Sequence, residues 1–161
     1  MRWLIILSVL SVIAYWLSPI KLAYTFDTSM PYHWWIEVYP FREPVVGDVV
    51  LIEPPEDEYT RGKLLVKRIV CGEGDYISTN GLEYYCNGKY LGKARTTDSK
   101  GRPVKHAILN QYIGKGYYFV MGENEKSYDS RYFGLIERER IKKLMYPLAK
   151  EPSLEFLLRS R

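Results

Sequence analysis

From Trp3 to Ile20 the chain carries no charged residue, and most positions in "WLIILSVLSVIAYWLSPI" are apolar. At about 1.5 Å per helical residue such a run covers most of a bilayer core of about 30 Å. It predicts a transmembrane anchor over residues 1–23, with Tyr15 and Trp16 near its outer end, where amphipathic rings prefer the interface. A cleaved signal peptide is the competing reading, but "LSPIKLAYTFD" offers no small-x-small cleavage site. Arg2 and the amino terminus, set against Lys21, orient the N-terminus inward and the bulk of the chain outward.

Beyond Tyr24 the pattern changes to short runs of Val, Ile and Tyr punctuated by Gly and Pro, the signature of many short strands. "GDVVLIE" (47–53) and "KLLVKRIVC" (63–71) are the clearest, and "GDYIS", "LEYYCNGKYLG" and "GYYFVMG" continue the series. Asn80-Gly81 and Asn87-Gly88 are hairpin-type turn dipeptides. Residues 96–115 are polar and turn-rich and read as an irregular excursion, while "IERERIKKLMYPL" suits a short helix or a last strand equally. The fold class is mainly β.

The net charge of +4 changes little, because basic residues are scattered or interleaved with acids, as in "IERERIKK". No basic stripe forms, which argues against a nucleic-acid partner. Cys71 and Cys86 follow apparent strands on either side of the Asn80-Gly81 turn. They form either a disulfide, suited to an oxidising compartment, or two separate buried thiols.

With two histidines and two cysteines lacking paired ligand spacing, neither a zinc site nor a Ser-His-Asp triad is a strong reading. His33 follows Ser29 too closely in an aromatic segment, and His106 lies in the polar excursion. Lysine is the alternative base. Lys67 alternates with Leu65 and Ile69 on one strand face, where apolar neighbours would lower its pKa from the free value of about 10.4. A solvated lysine on an edge strand fits that stretch equally well.

Four motifs occur in order: "SMP" with Ser29, "GDVV" at 47–50, "KRIVCGEGD" at 67–75 and "GENEKSYDSRYFG" at 122–134. Following an apolar N-terminus, the set resembles the bacterial type I signal peptidases, serine endopeptidases with a Ser-Lys dyad. The Ser-Met-Pro spacing, the "SYDSRYFG" wording and the cysteine pair are similar to the conjugative-transfer processing peptidases of the TraF type. The resemblance implies an antiparallel β catalytic domain over residues 24–150, with a small inserted β or irregular subdomain at about 75–116, and a tail at 151–161. It implies Ser29 as nucleophile, Lys67 as general base, Ser127 as the hydroxyl that orients the lysine, and Asp129 with Arg131 as a supporting ion pair.

Shallow substrate pockets are expected near Phe26, Met30 and Leu65. Neither cofactor nor metal is required. The implied partners are membrane-bound precursor proteins, the lipid bilayer, and conjugation or secretion machinery. The implied location is the cytoplasmic membrane, spanned once, with the catalytic domain on the outer, periplasmic side. Asp27 departs from the family pattern, since an ionised carboxylate there would repel an oxyanion. Thr28 or a backbone N–H would then act as the second donor. The rival reading is an inactive tethered β domain serving as a binding module.

Overall fold

A computed structural model describes residues 2–26 and 28–148. Helix α1 (Arg2–Leu17) leads into β1 (Ile20–Tyr24), β2 (Trp34–Val38), β3 (Val49–Ile52) and β4 (Leu65–Cys71). Strands β5 (Tyr76–Asn80), β6 (Glu83–Cys86), β7 (Lys89–Lys93) and β8 (Asn110–Tyr112) follow. The chain then forms β9 (Tyr117–Met121), the short helix α2 (Ser130–Phe133), β10 (Ile136–Glu137), a 3-10 turn (Arg138–Arg140) and β11 (Ile141–Pro147).

The expected anchor over 1–23 is corrected at its outer end. Pro19 has no N–H to donate and disfavours helix at Ser18, so α1 stops at Leu17 and Ile20–Tyr24 pairs as a strand. Sixteen helical residues rise about 24 Å, short of the bilayer core. Among the described residues no helix is long and apolar enough to cross a membrane. Trp3, Ile5, Leu7, Leu10 and Tyr15 of α1 are nonetheless exposed.

Seven strands form one sheet in the order β1-β2-β11-β3-β4-β9-β10, and four form a second in the order β7-β6-β5-β8. All their pairings are antiparallel. The ambiguous "IERERIKKLMYPL" becomes β10, the 3-10 turn and β11, a central strand between β2 and β3. The excursion at 96–115 is not wholly irregular, since Asn110–Tyr112 pairs with β5. Asn87 and Gly88 both take positive φ, which fits the primed turn joining β6 to β7.

Val50, Ile52, Ile69, Val120, Ile136 and Leu144 pack as one core on the large sheet. A second core lies between the sheets, where Cys71, Phe119 and Met121 meet Ile77, Tyr84 and Cys86. Cys71 and Cys86 are disulfide-bonded there, with Cα atoms 5.9 Å apart, tying β4 to β6. A third cluster gathers Met30, Trp35, Val49, Val66 and Met145 beneath the segment that carries Ser29.

The "GDVV" stretch locks β4 in register. Gly47, at φ +100 where a side chain would be strained, donates its N–H to the Ile69 carbonyl, and Ile69 N–H donates to that of Asp48. Arg42 hydrogen-bonds both oxygens of Asp48, at 2.6 and 2.8 Å, and holds its carboxyl below the usual carboxylate range.

Candidate active site

Lys67 occupies the middle of β4, paired with Val50 on one side and flanked by β9 on the other. It is therefore not on an edge strand, and only 1% of its surface reaches solvent. Its Nζ lies 2.7 Å from Ser29 Oγ and 2.7 Å from Ser127 Oγ, and the two hydroxyl oxygens stand 3.2 Å apart. Ser29 and Ser127 are also buried. The fold thus gathers three polar groups, separated by 38 and 60 residues in sequence from the lysine, into one hydrogen-bonded cluster.

Two other segments hold Ser29 in place. Glu123 and Asn124 donate their backbone N–H groups to the Ser29 carbonyl, at 2.8 and 3.1 Å, and the Asn124 side-chain amide donates to the Thr28 carbonyl at 3.3 Å. Arg68, next to Lys67, pairs with Glu123 at 2.6 Å and donates to the Gly47 carbonyl at 2.8 Å. The turn that follows β9 is thereby pinned to the lysine strand on one side and to the serine on the other.

Asp129 and Arg131 lie directly beside this cluster. Their side chains form a two-pronged ion pair, with both contacts at 2.8 Å, and both are almost wholly buried. Asp129 caps α2 by accepting from Arg131 N–H and also accepts from Gly122 N–H at 3.0 Å. Arg131 donates to the Ser127 carbonyl at 3.1 Å and to the Lys93 carbonyl at 2.8 Å. A buried guanidinium needs such a full set of acceptors, and here they connect the Ser127 turn to the second sheet. Although burial opposes its charge, Asp129 holds the Arg131 pKa above its ordinary value.

The three residues expected to line a substrate pocket separate. Leu65 lines a cavity of about 370 Å³ together with Thr28, Ser29, Lys67 and Ser127. Met30 instead packs into the core under the serine segment, 4% exposed, and Phe26 projects outward at 89% exposed against the Tyr24 ring. Neither histidine lines the cavity: His33 Nδ1 bonds the Thr25 carbonyl and its ring stacks on Tyr24. Trp35 is fully buried and Trp34 half exposed. Asp27 and the expected tail at 151–161 lie outside the described residues.

Residues that the sequence did not single out complete the site. A Cβ on Gly122 would overlap the Oγ and Cβ of Ser127, so the turn closes only around a glycine. Tyr59 and Lys63 form the cavity's far lip, on a loop held by Asp57. Asp57 accepts from Thr60 N–H, Thr60 Oγ1 and the Tyr128 hydroxyl, the last at 2.6 Å. Burial raises the Asp57 pKa, but these hydrogen bonds outweigh it and leave the carboxyl below its usual range. Burial and the same carboxylate push the Tyr128 hydroxyl up. The "G-x-x-x-x-S" spacing of 122–127 was the available signal for Gly122; nothing local marks Asp57.

Over 111 residues the chain is 32% identical to thylakoidal processing peptidase 1, chloroplastic, of Arabidopsis thaliana, covering 64% of this chain and 32% of that protein. It is 32% identical over 105 residues to signal peptidase I V of Bacillus subtilis, covering 58% and 60%. A crystal structure of a signal peptidase I from Enterococcus faecalis matches with a TM-score of 0.45 at 24% identity, over 65% of this chain and 98% of that one. The chain spans about a third of the length of the thylakoidal relative. The family model for signal peptidase, peptidase S26, matches residues 2–144, and the chain belongs to that family.

Proposed function

We propose that this chain is a serine endopeptidase that removes signal peptides from precursor proteins, with Ser29 as nucleophile and Lys67 as general base. The observation that carries the reading is the 2.7 Å contact between a buried lysine amine and a buried serine hydroxyl at the head of an open cavity. In this reading Lys67, with 1% of its surface exposed, acts in its neutral form. That amine takes the proton of Ser29 as Oγ attacks the scissile carbonyl, and Ser127 holds the amine in line. The protonated lysine then returns the proton to the leaving amine. Water, deprotonated by the same lysine, hydrolyses the acyl-enzyme and regenerates Ser29. The Ser29 N–H is one donor to the oxyanion, and Thr28 at the cavity rim is the second.

Lipid is the surrounding we assign to the exposed apolar surface. Helix α1 presents Trp3, Ile5 and Leu7 to solvent, and one face of β1 and β2 presents Ile20, Leu22, Tyr24 and Trp34. Apolar exposure on this scale marks an interaction site, and the β1–β2 face adjoins the Ser29 segment. Precursors held at the same bilayer reach the cavity without leaving it. Conjugative pilin precursors are the specialised substrates we assign to the family's TraF branch, on the "SYDSRYFG" and cysteine-pair wording.

The test is labelling of detergent-solubilised protein with a serine-acylating inhibitor, alongside cleavage of a signal-peptide precursor and a pilin precursor. Label on Ser29 with cleavage of either precursor is expected. A folded protein that neither labels nor cleaves would instead be a binding module.

A further inference from the structure

The cavity at Ser29 continues past its lip. Tyr59, Lys63, Lys126 and Tyr128 line both it and a second, open cavity of about 360 Å³, which the 95–104 segment also lines. Five cations and two acids line this second space. Both acids, Glu58 and Asp98, are taken by Arg102, at 3.1 and 2.7 Å. The other four cations, Lys63, Arg95, Lys100 and Lys126, are exposed and make no ion pair among the described residues.

Beneath the charges lies a stack of rings. Tyr59 and Tyr128 sit 4.8 Å apart, Tyr128 and Tyr132 4.9 Å, and the Tyr128 hydroxyl is fixed to Asp57. The packed rings and the anchored Tyr128 hydroxyl give the cavity one fixed side, and the excess of five cations over two acids in its lining attracts carboxylate.

We propose that this second cavity receives an Asp or Glu side chain of the precursor bound at Ser29, so that the enzyme favours substrates with a carboxylate near the scissile bond. The inference rests on the peptidase reading of Ser29 and Lys67. A peptide fits better than an anionic lipid head group, because no residue of α1, β1 or β2, which carry the exposed apolar face, lines the cavity.

The experiment uses the full chain in neutral detergent and one precursor peptide, with Glu, Gln or Lys placed in turn at each position flanking the cleavage site. At one or two positions Glu should raise kcat/KM about fivefold over Gln, the scale of one exposed ion pair, and Lys should lower it. Added salt should erase the difference. Charge reversal at Arg95→Glu with Lys126→Glu should invert the preference toward Lys, a gain that a misfolded protein does not produce, and Lys126→Gln should level it. Cleavage without charge preference at any position would overturn this inference and leave the dyad standing. Failure to cleave even the Gln peptide would sink both. A charge-reversed enzyme with unchanged peptide preference but a lost response to anionic vesicles would assign the cavity to lipid and overturn it as well.

Discussion

Gly122 leaves no room for a side chain because Ser127 fills the space: a Cβ there would overlap the serine Oγ and Cβ and stand 3.1 Å from the Ser29 carbonyl oxygen. Its φ is not positive, so the need for glycine is steric and not conformational. Gly122→Ala should therefore displace Ser127 and, through it, Lys67. Overpacking of this kind costs about 1–3 kcal/mol, and a shift of about 1 Å at the lysine costs about a hundredfold in rate. Precursor cleavage by a protein of near-native Tm measures the second effect; an unimpaired Gly122→Ala enzyme would separate Ser127 from catalysis.

Lys67 distinguishes this mechanism from every histidine-based one. Lys67→Arg keeps the charge but stays protonated at any working pH, so it should be as inactive as Lys67→Ala. Ser29→Ala should lose at least about a thousandfold. His33→Ala and His106→Ala should retain most activity. Because the base works only when neutral, wild-type cleavage should rise with pH as the Lys67 amine gives up its proton. An active Lys67→Arg enzyme would show that Ser29 gives its proton elsewhere.

Asp57 should leave its mark on acid stability. Its pKa is lowered in the folded chain, so its stabilisation is complete above the unfolded value of about 3.9 and is lost as pH falls through the lower folded value. Tyr128→Phe removes one of the hydrogen bonds that lower it. The variant should lose about 1 kcal/mol at neutral pH and show a smaller further loss below about pH 4, read from urea unfolding at stepped pH.

A buried two-pronged ion pair and an exposed single-contact one should differ in worth. Asp129→Ala strands a guanidinium that is only 1% exposed, at a cost of about 3–5 kcal/mol. Glu58→Ala removes an exposed partner of Arg102 and should cost no more than about 1 kcal/mol. Thermal melting of the two variants side by side checks the contrast.

The Cys71–Cys86 bond closes a loop of 15 residues and lies in the core between the sheets. Replacing both cysteines with alanine should lower stability by about 3 kcal/mol. Thiol alkylation of the untreated protein, unfolded without reductant, should find no free cysteine.

The strands around Val49–Ile52, Leu65–Cys71 and Tyr117–Met121, the Asn87-Gly88 turn and the four motifs were legible along the chain, because each depends on residues within a few positions of one another. Apolar alternation in "LLVKRIV" marked β4, and the motif wording pointed to Ser29, Lys67 and Ser127 before any geometry was known. Three things were decided only by long-range contact. Whether Lys67 sits inside or at the edge of a sheet depends on β3 and β9, which reach it from sequence positions nearly twenty and more than fifty residues away. Pro19 turned the end of an apolar run into a strand because Trp34–Val38 offered a hydrogen-bonding partner, which no hydropathy pattern within that run contains. The burial of Met30 and the exposure of Phe26 were set by Trp35, Val66 and Met145 closing over one and not the other. Local sequence biases φ and ψ and supplies the side-chain chemistry; the burial of Lys67 and of the Asp129–Arg131 pair exists only after distant strands have excluded water.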